Sequence, residues 1–315
     1  MERKKIKAER SLNVVKQNDL VQKARYKLDL VQQKTIMYLI SKIDSMKDIE
    51  FQDITVDIKY LCEIMGIQYN GKNLKDFKDA IQKLSDKSIW VDTGPKLILM
   101  RWLQRVIIDK GTTTVTVKFD ELMAPHLLQI QERFVQYQLV NVLPMKSQYS
   151  LRLYEIIKSH EAQGKWEVSI DELKKVLFIE DGLYEDYRIF RRKVLDSAVM
   201  EICNFTDLVV AYEPKRKDRK IYSLVFEMCN IQDEQYSEGA RRHINREIVL
   251  DNLDAEVSPP RKMPTVNDIR KMRERKRAEK EREFLAKKFR RAKKTIEYSE
   301  DPVVMPGQTS LDDLF

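Results

Sequence analysis

The side chains with chemistry to offer in this chain are basic, and they fall in clusters. Arg188, Arg191 and Arg192 stand at i, i+3 and i+4, with Lys193 next to them. On a helix that spacing turns the arginines away from Phe190 and Val194. Guanidinium groups so placed contact phosphates or reach guanine edges bidentately. A second cluster, Lys215, Arg216, Lys217, Arg219 and Lys220, lies between two strand-like runs. A basic hairpin tip lies along a phosphate backbone or enters a minor groove. A third set, Lys75, Lys78 and Lys83, is mixed with Asp76, Asp79 and Asp86. It reads either as a weaker DNA face or as part of a dimer contact. The plain alternative for all three is a solvated surface.

Other chemistry is poorly served. A phosphate-binding loop needs Gly-Lys followed by Ser or Thr, but the Gly-Lys pairs here continue as Asn73 and Trp166. His126, His160 and His243 stand far apart, as do Cys62, Cys203 and Cys229. None has metal-ligand or disulfide-framework spacing. No catalytic constellation emerges, so the expectation is a protein that is not an enzyme and takes no cofactor or metal.

The basic clusters need elements to position them. Asp29 is placed to cap a helix through Leu30, Ile36, Met37 and Ile40. A strand-like run, Asp53 to Val56, follows. Asp57 then caps a short helix with Leu61, Ile64 and Met65 inward, which Gly66 ends. After Asn70-Gly71, a second helix carries Leu74, Phe77, Ile81 and Leu84 on one face. Strands are expected over Ser88–Asp92, Lys96–Ile108 and Thr113–Phe119. Helix, turn, helix and β-hairpin in that order describe a winged helix.

The second half repeats the order. Trp166–Ser169 is strand-like, and Asp171 starts a helix with Leu173, Val176 and Leu177 inward. A longer helix from about Glu185 carries Tyr187, Phe190, Val194, Ala198 and Ile202. Strands Asp207–Glu213 and Lys220–Phe226 flank the basic turn. Leu61 leads Leu74, Phe77 and Ile81 by 13, 16 and 20 residues, and Leu173 leads Tyr187, Phe190 and Val194 by 14, 17 and 21. The two sets differ by one residue, the mark of a structural duplication. Between the halves, a helix from Ser147 to about Glu161 is apolar around most of its circumference, which suits packing between two domains.

Composition agrees. The chain has 315 residues, 43% of them hydrophobic and 34% charged, with only 8 Gly and 9 Pro. A chain of that length holds about two domains, and scarce Gly and Pro favour helices. The net charge is +8, but Pro259–Thr295 alone holds 16 Lys/Arg against 5 Asp/Glu, leaving 42 against 45 elsewhere. A globular part so balanced binds nucleic acid only through local patches. The sequence contains no apolar run long enough for a membrane span and no signal-peptide pattern at its start. It reads as cytoplasmic.

Several blocks in order resemble one family, the winged-helix replication initiators of iteron-containing bacterial plasmids. The most specific is Asn141-Val-Leu-Pro-Met-Lys-Ser-Gln-Tyr-Ser-Leu-Arg-Leu-Tyr-Glu-Ile-Ile-Lys. Gly164-Lys-Trp-Glu-Val-Ser-Ile-Asp-Glu-Leu, Phe190-Arg-Arg-Lys-Val-Leu-Asp-Ser-Ala and Thr206-Asp-Leu-Val-Val-Ala-Tyr-Glu-Pro-Lys-Arg-Lys support it. The resemblance covers about Val14 to Met228. It implies that the chain binds origin iterons as a monomer, opens an AT-rich region, and recruits the host initiator and replicative helicase. It further implies dimers, formed through the first domain, that repress the initiator's own gene at an operator. Winged-helix repressors without a replication role, and winged helices that bind proteins, are the alternatives.

The expected organisation is α+β and helix-rich, with two tandem winged-helix domains, a linker, a charged helix and an extended tail. Residues 1–12 are expected to be flexible. Residues 13–145 form the first domain, for dimerisation and DNA contact, and 146–229 the second, for main iteron binding. Residues 230–264 are the linker and 265–297 the basic helix, which is either simply solvated or a nonspecific DNA attachment. The tail, 298–315, ends in Gln308, Leu311, Leu314 and Phe315, a pattern that resembles sliding-clamp-binding peptides and implies a clamp as a partner.

Overall fold

Each winged helix in this chain contains a helix started by a capping side chain. Asp29 accepts from the Gln32 amide while the Gln32 side chain accepts from the Asp29 amide, so two otherwise orphaned donors are satisfied at once. Ser147 accepts from the Tyr149 amide and starts the corresponding helix of the second half. These come from a computed structural model of the chain, which describes residues 2–92, 94–218, 220–231, 246–247, 249–251 and 263–297.

The first winged helix is built from α1 (Glu2–Arg10), β1 (Asn13–Gln17), α2 (Asn18–Gln22), α3 (Leu30–Ile40), β2 (Ile54–Asp57), α4 (Ile58–Ile64), α5 (Gly71–Asp86), β3 (Ser88–Asp92), β4 (Leu97–Arg101), β5 (Leu103–Ile108), β6 (Thr114–Phe119), α6 (Ala124–Leu127) and β7 (Phe134–Gln138). The second comprises α7 (Gln148–Ser159), β8 (Lys165–Ser169), α8 (Ile170–Val176), α9 (Tyr187–Phe190), a π turn (Arg191–Leu195), α10 (Asp196–Phe205), β9 (Leu208–Lys217) and β10 (Lys220–Asn230). The sheets run β2-β6-β5 and β8-β10-β9, antiparallel in both halves. The same strand order around the same helix pair gives the spacing repeat its physical basis.

Three expectations change. Residues 2–10, read as frayed, form α1, and its last residue is buried. Arg10 donates from Nε to the Ile64 carbonyl at 2.9 Å and from Nη2 to the Glu63 carbonyl at 3.1 Å. A guanidinium there adds donors to carbonyls at the end of α4, where the helix runs out of its own. The strand expected over Lys96–Ile108 is broken at Trp102, with β4 pairing to β3 and β5 to β6. Trp102 is fully buried and meets Tyr26 edge-on at 5.0 Å between ring centroids, so the chain changes sheets where its largest side chain enters the core. Within the expected linker, residues 246–247 and 249–251 are helical. Arg10 pairs with Asp251 at 3.0 Å, and the Leu250 carbonyl lies only 2.5 Å from where a Cβ at residue 66 would stand. Gly66, at φ +63°, is therefore needed both for its left-handed backbone and for this close approach.

Residues 1–269 form one unit, and α7 runs through its middle. Every residue from Ser150 to Ser159 is buried. The family block around Asn141–Lys158 supplies the polar joint of the two halves. Arg152 donates to the carbonyls of Val21 and Val176 and to the Tyr26 hydroxyl, at 2.8, 3.2 and 3.1 Å. Glu155 is buried with Lys16 as its ion-pair partner and accepts from the Tyr137 hydroxyl at 2.6 Å. Tyr154 donates to Asp207 at 2.8 Å and accepts from Asn141 at 3.1 Å, and Lys158 also pairs with Asp207. Arg246 donates to Asn141, so the chain beyond the family blocks joins the same network.

Lys34 of α3 is a buried cation at this joint. Its ammonium donates to the Leu143 carbonyl at 2.5 Å. Burial pushes its pKa down to about 8, against a smaller upward pull from Glu201. The unfolded chain would hold the proton up to the ordinary value of 10.5. Between those two values the unfolded state binds more protons, so stability rises with pH, by up to about 3 kcal/mol at about 1.4 kcal/mol per unit. Lys34→Met removes this dependence. The stability of the variant relative to the unmodified protein, read by urea unfolding at pH 7.5 and 10, is expected to fall as pH rises. A constant difference would refute it.

Beyond Ile269, residues 270–297 are the continuation of the helix Val266–Glu297 and belong to a second unit. Arg275, Arg277, Lys280, Arg282 and Lys287 are exposed on it. Tail residues Gln308, Leu311, Leu314 and Phe315 lie outside the described residues, as do His243 and Arg219.

Candidate nucleic-acid interface

The second helix-turn-helix is α8 and the composite helix Tyr187–Phe205. Asp186 caps the latter by accepting from the Arg188 amide at 2.7 Å. Phe190, Val194, Leu195, Ala198 and Ile202 are buried and seat it on α7 and β9. The π turn over Arg191–Leu195 widens the helix where the basic residues stand. A one-turn π segment inside an α-helix is frequent at functional sites.

The basic residues expected on this helix separate into two kinds. Arg188 is exposed but reaches back to its own cap, with Nη2 at 2.9 Å from Asp186. Arg191 lies 3.3 Å from Asp196, whose other carboxylate oxygen accepts from the Tyr212 hydroxyl at 2.6 Å. Arg192 and Lys193 are exposed and have no ion pair among the described residues. Arg192 and Lys193 are thus available to a ligand, whereas Arg188 and Arg191 must first leave a carboxylate. Such exposed pairs contribute only about 0–1 kcal/mol.

The basic hairpin is longer than the sequence suggests. β9 runs on to Lys217 and β10 starts at Lys220, so Lys215, Arg216 and Lys217 sit on strands, with Lys217 paired to Lys220. Pro214 fits inside β9 because that strand is at the sheet edge. Lys215 pairs with Glu167 at 2.6 Å, which holds the Glu167 carboxyl below its ordinary range. Arg216, Lys217 and Lys220 are exposed. A cleft of about 900 Å³ lies between helix and hairpin, walled by Tyr187, Arg188, Arg191, Tyr212 and Arg216. Met263–Asn267 close one side of it, and Val266 and Ile269 are buried.

In the first half, Lys75 and Lys83 of α5 are exposed, and Lys78 donates to the Thr112 carbonyl at 2.9 Å. They share one helix but do not join the cluster of the second half into a single described site. His126 contacts Gln17 at 3.1 Å and His160 stacks on Trp166. Burial lowers the pKa of both. Among the described residues, no group of His, Cys, Asp and Glu is placed to hold a metal ion, and no helix is long and apolar enough to cross a membrane. Two exposed apolar residues, Ile189 and Tyr222, lie beside the basic clusters, where neither charge nor apolar periodicity marks them.

Residues 13–158 match the family described as "Initiator Replication protein, WH1", and residues 169–228 match "Initiator Rep protein, WH2". The chain belongs to this initiator Rep family. This Rep chain is 33% identical over 137 residues to the "PI protein" of Escherichia coli, covering 38% of the chain and 45% of that protein. It is 25% identical over 115 residues to an Escherichia coli "Replication initiation protein", covering 35% of each. A "Probable replication protein rep" of Bifidobacterium longum is 24% identical over 207 residues, 64% of this chain and 67% of that one. The chain thus spans less than half the length of the first two relatives. The solved structure "Pi initiator protein in complex with iteron DNA" superposes with a TM-score of 0.60 at 22% identity, covering 71% of this Rep chain and 99% of the other. That likeness establishes two winged helices in the same order.

Proposed function

We propose that this chain initiates plasmid replication by binding repeated origin sequences, and that it acts by binding rather than by catalysis. The observation that carries the reading is the second winged helix, a family domain whose helix and hairpin both present exposed basic residues. Arg192 and Lys193 on the helix, with Arg216, Lys217 and Lys220 on the hairpin, form the main DNA contact. The iteron DNA held by the structural neighbour supports DNA as the ligand. Lys75 and Lys83 give the first winged helix a lesser contact.

The first winged helix also serves as the dimer contact for autorepression. Trp90, Leu97 and Leu99 of the β3–β4 hairpin are exposed by 45, 64 and 47%. Trp90 is the direct cross-strand partner of Leu99, so apolar surface is contiguous there, as interaction sites require. The host initiator and helicase are recruited as the family resemblance implies, and Gln308–Phe315 tethers the protein to a sliding clamp. A footprint of the purified protein on DNA flanking its own coding sequence tests the reading. Evenly spaced direct repeats are expected to be protected at low and moderate salt. A single protected inverted repeat points to a repressor alone, and no protection at either salt refutes DNA binding.

A further inference from the structure

The outward side of the composite helix is not wholly basic. Phe190, Val194, Leu195 and Ala198 face the core, while Ile189, Arg192 and Lys193 are exposed within about one turn of each other. Ile189 is 44% exposed and lies in the first turn after the Asp186 cap. A solvated helix position is served better by Lys, Glu or Gln, since a β-branched side chain loses rotamer freedom there. The neighbours Arg188 and Arg191 are drawn toward Asp186 and Asp196, which leaves Ile189 uncovered between Arg192 and Lys193.

The N-terminal residues of such a helix are the ones that reach base edges in the major groove. That groove offers one aliphatic feature, the C5-methyl group of thymine. We infer that Ile189 reads sequence by packing on a thymine methyl, while Arg192 and Lys193 hold the strand beside it. This rests on the proposed DNA contact of the second winged helix. The basic residues then supply affinity for any duplex, and Ile189 supplies discrimination at one base pair.

The probe is a duplex bearing one repeat protected in the footprint, with each thymine replaced in turn by deoxyuridine, which removes only the methyl. For the unmodified protein, one position is expected to lose about fourfold in affinity, the weight of one buried methyl group. Ile189→Ala is expected to bind the parent duplex about as weakly as that and to lose nothing more at that position. The side chain is exposed, so the variant keeps the fold. Uniform binding to every deoxyuridine duplex overturns the inference while leaving DNA binding intact. So does an Ile189→Ala variant that retains the same methyl dependence. Failure of the unmodified protein to bind the parent duplex overturns the DNA-binding reading and this inference together.

Discussion

Arg152→Ala is expected to lower the free energy of unfolding by about 3–5 kcal/mol, a large part of the roughly 5–15 kcal/mol that holds an ordinary domain. Arg152 is 3% exposed, and its guanidinium serves both halves of the molecule. From α7 it donates to Val21 and Tyr26 on the first side and to Val176 on the second. It also lies over the rings of Tyr26 and Phe178, at 5.0 and 5.6 Å. Alanine leaves these acceptors buried without their donor, at about 1–3 kcal/mol each, and opens a cavity besides. Lysine does not restore them, because one ammonium cannot reproduce the planar fork of donors. Urea unfolding of the two variants beside the unmodified chain is the measurement. A loss below about 1 kcal/mol for alanine would mean that the joint closes over the missing group and that Arg152 is not its centre.

Removing Arg192, Lys193, Lys217 and Lys220 together is expected to flatten the dependence of DNA binding on salt. Every phosphate that loses its cationic partner lowers the slope of log K against log salt by about 0.9. Four such phosphates then cost on the order of a thousandfold in affinity at 0.1 M salt. Arg188→Ala with Arg191→Ala is expected to do less, since each of those side chains must leave a carboxylate before meeting a phosphate. Titrations of labelled duplex at several salt concentrations separate the two variants. Equal slopes for the fourfold variant and the unmodified protein would remove this helix and hairpin from the interface. A larger fall for the Arg188 and Arg191 pair would reverse the ranking drawn from the structure.

What the amino-acid order determined alone was the local architecture. Asp29, Asp57, Asn70 and Ser147 cap helices that their side chains specify within three residues. Phe77, Ile81 and Leu84 recur at the helical period and are buried, because a face repeating every 3.6 residues has one way to reach a core. Repeated spacing around Leu61 and Leu173 carried the duplication, and the blocks from Asn141 to Lys217 carried the family. These are properties of neighbours in the chain, so they are legible in it.

Contacts between distant residues were decided only by the tertiary structure. The block Asn141–Lys158 was legible as a signature but not as a buried joint, since Lys16, Tyr26, Asp207 and Arg246 complete it from far along the chain. Arg10 was unreadable for the same reason, because its partners lie near residues 64 and 251. On the interface, sequence placed Arg188, Arg191 and Arg192 on one side of a helix. Only the positions of Asp186, Asp196 and Tyr212 show that two of the three are already engaged. Periodicity tells which way a side chain leaves its own helix, and the elements that fold against that helix determine what it meets there.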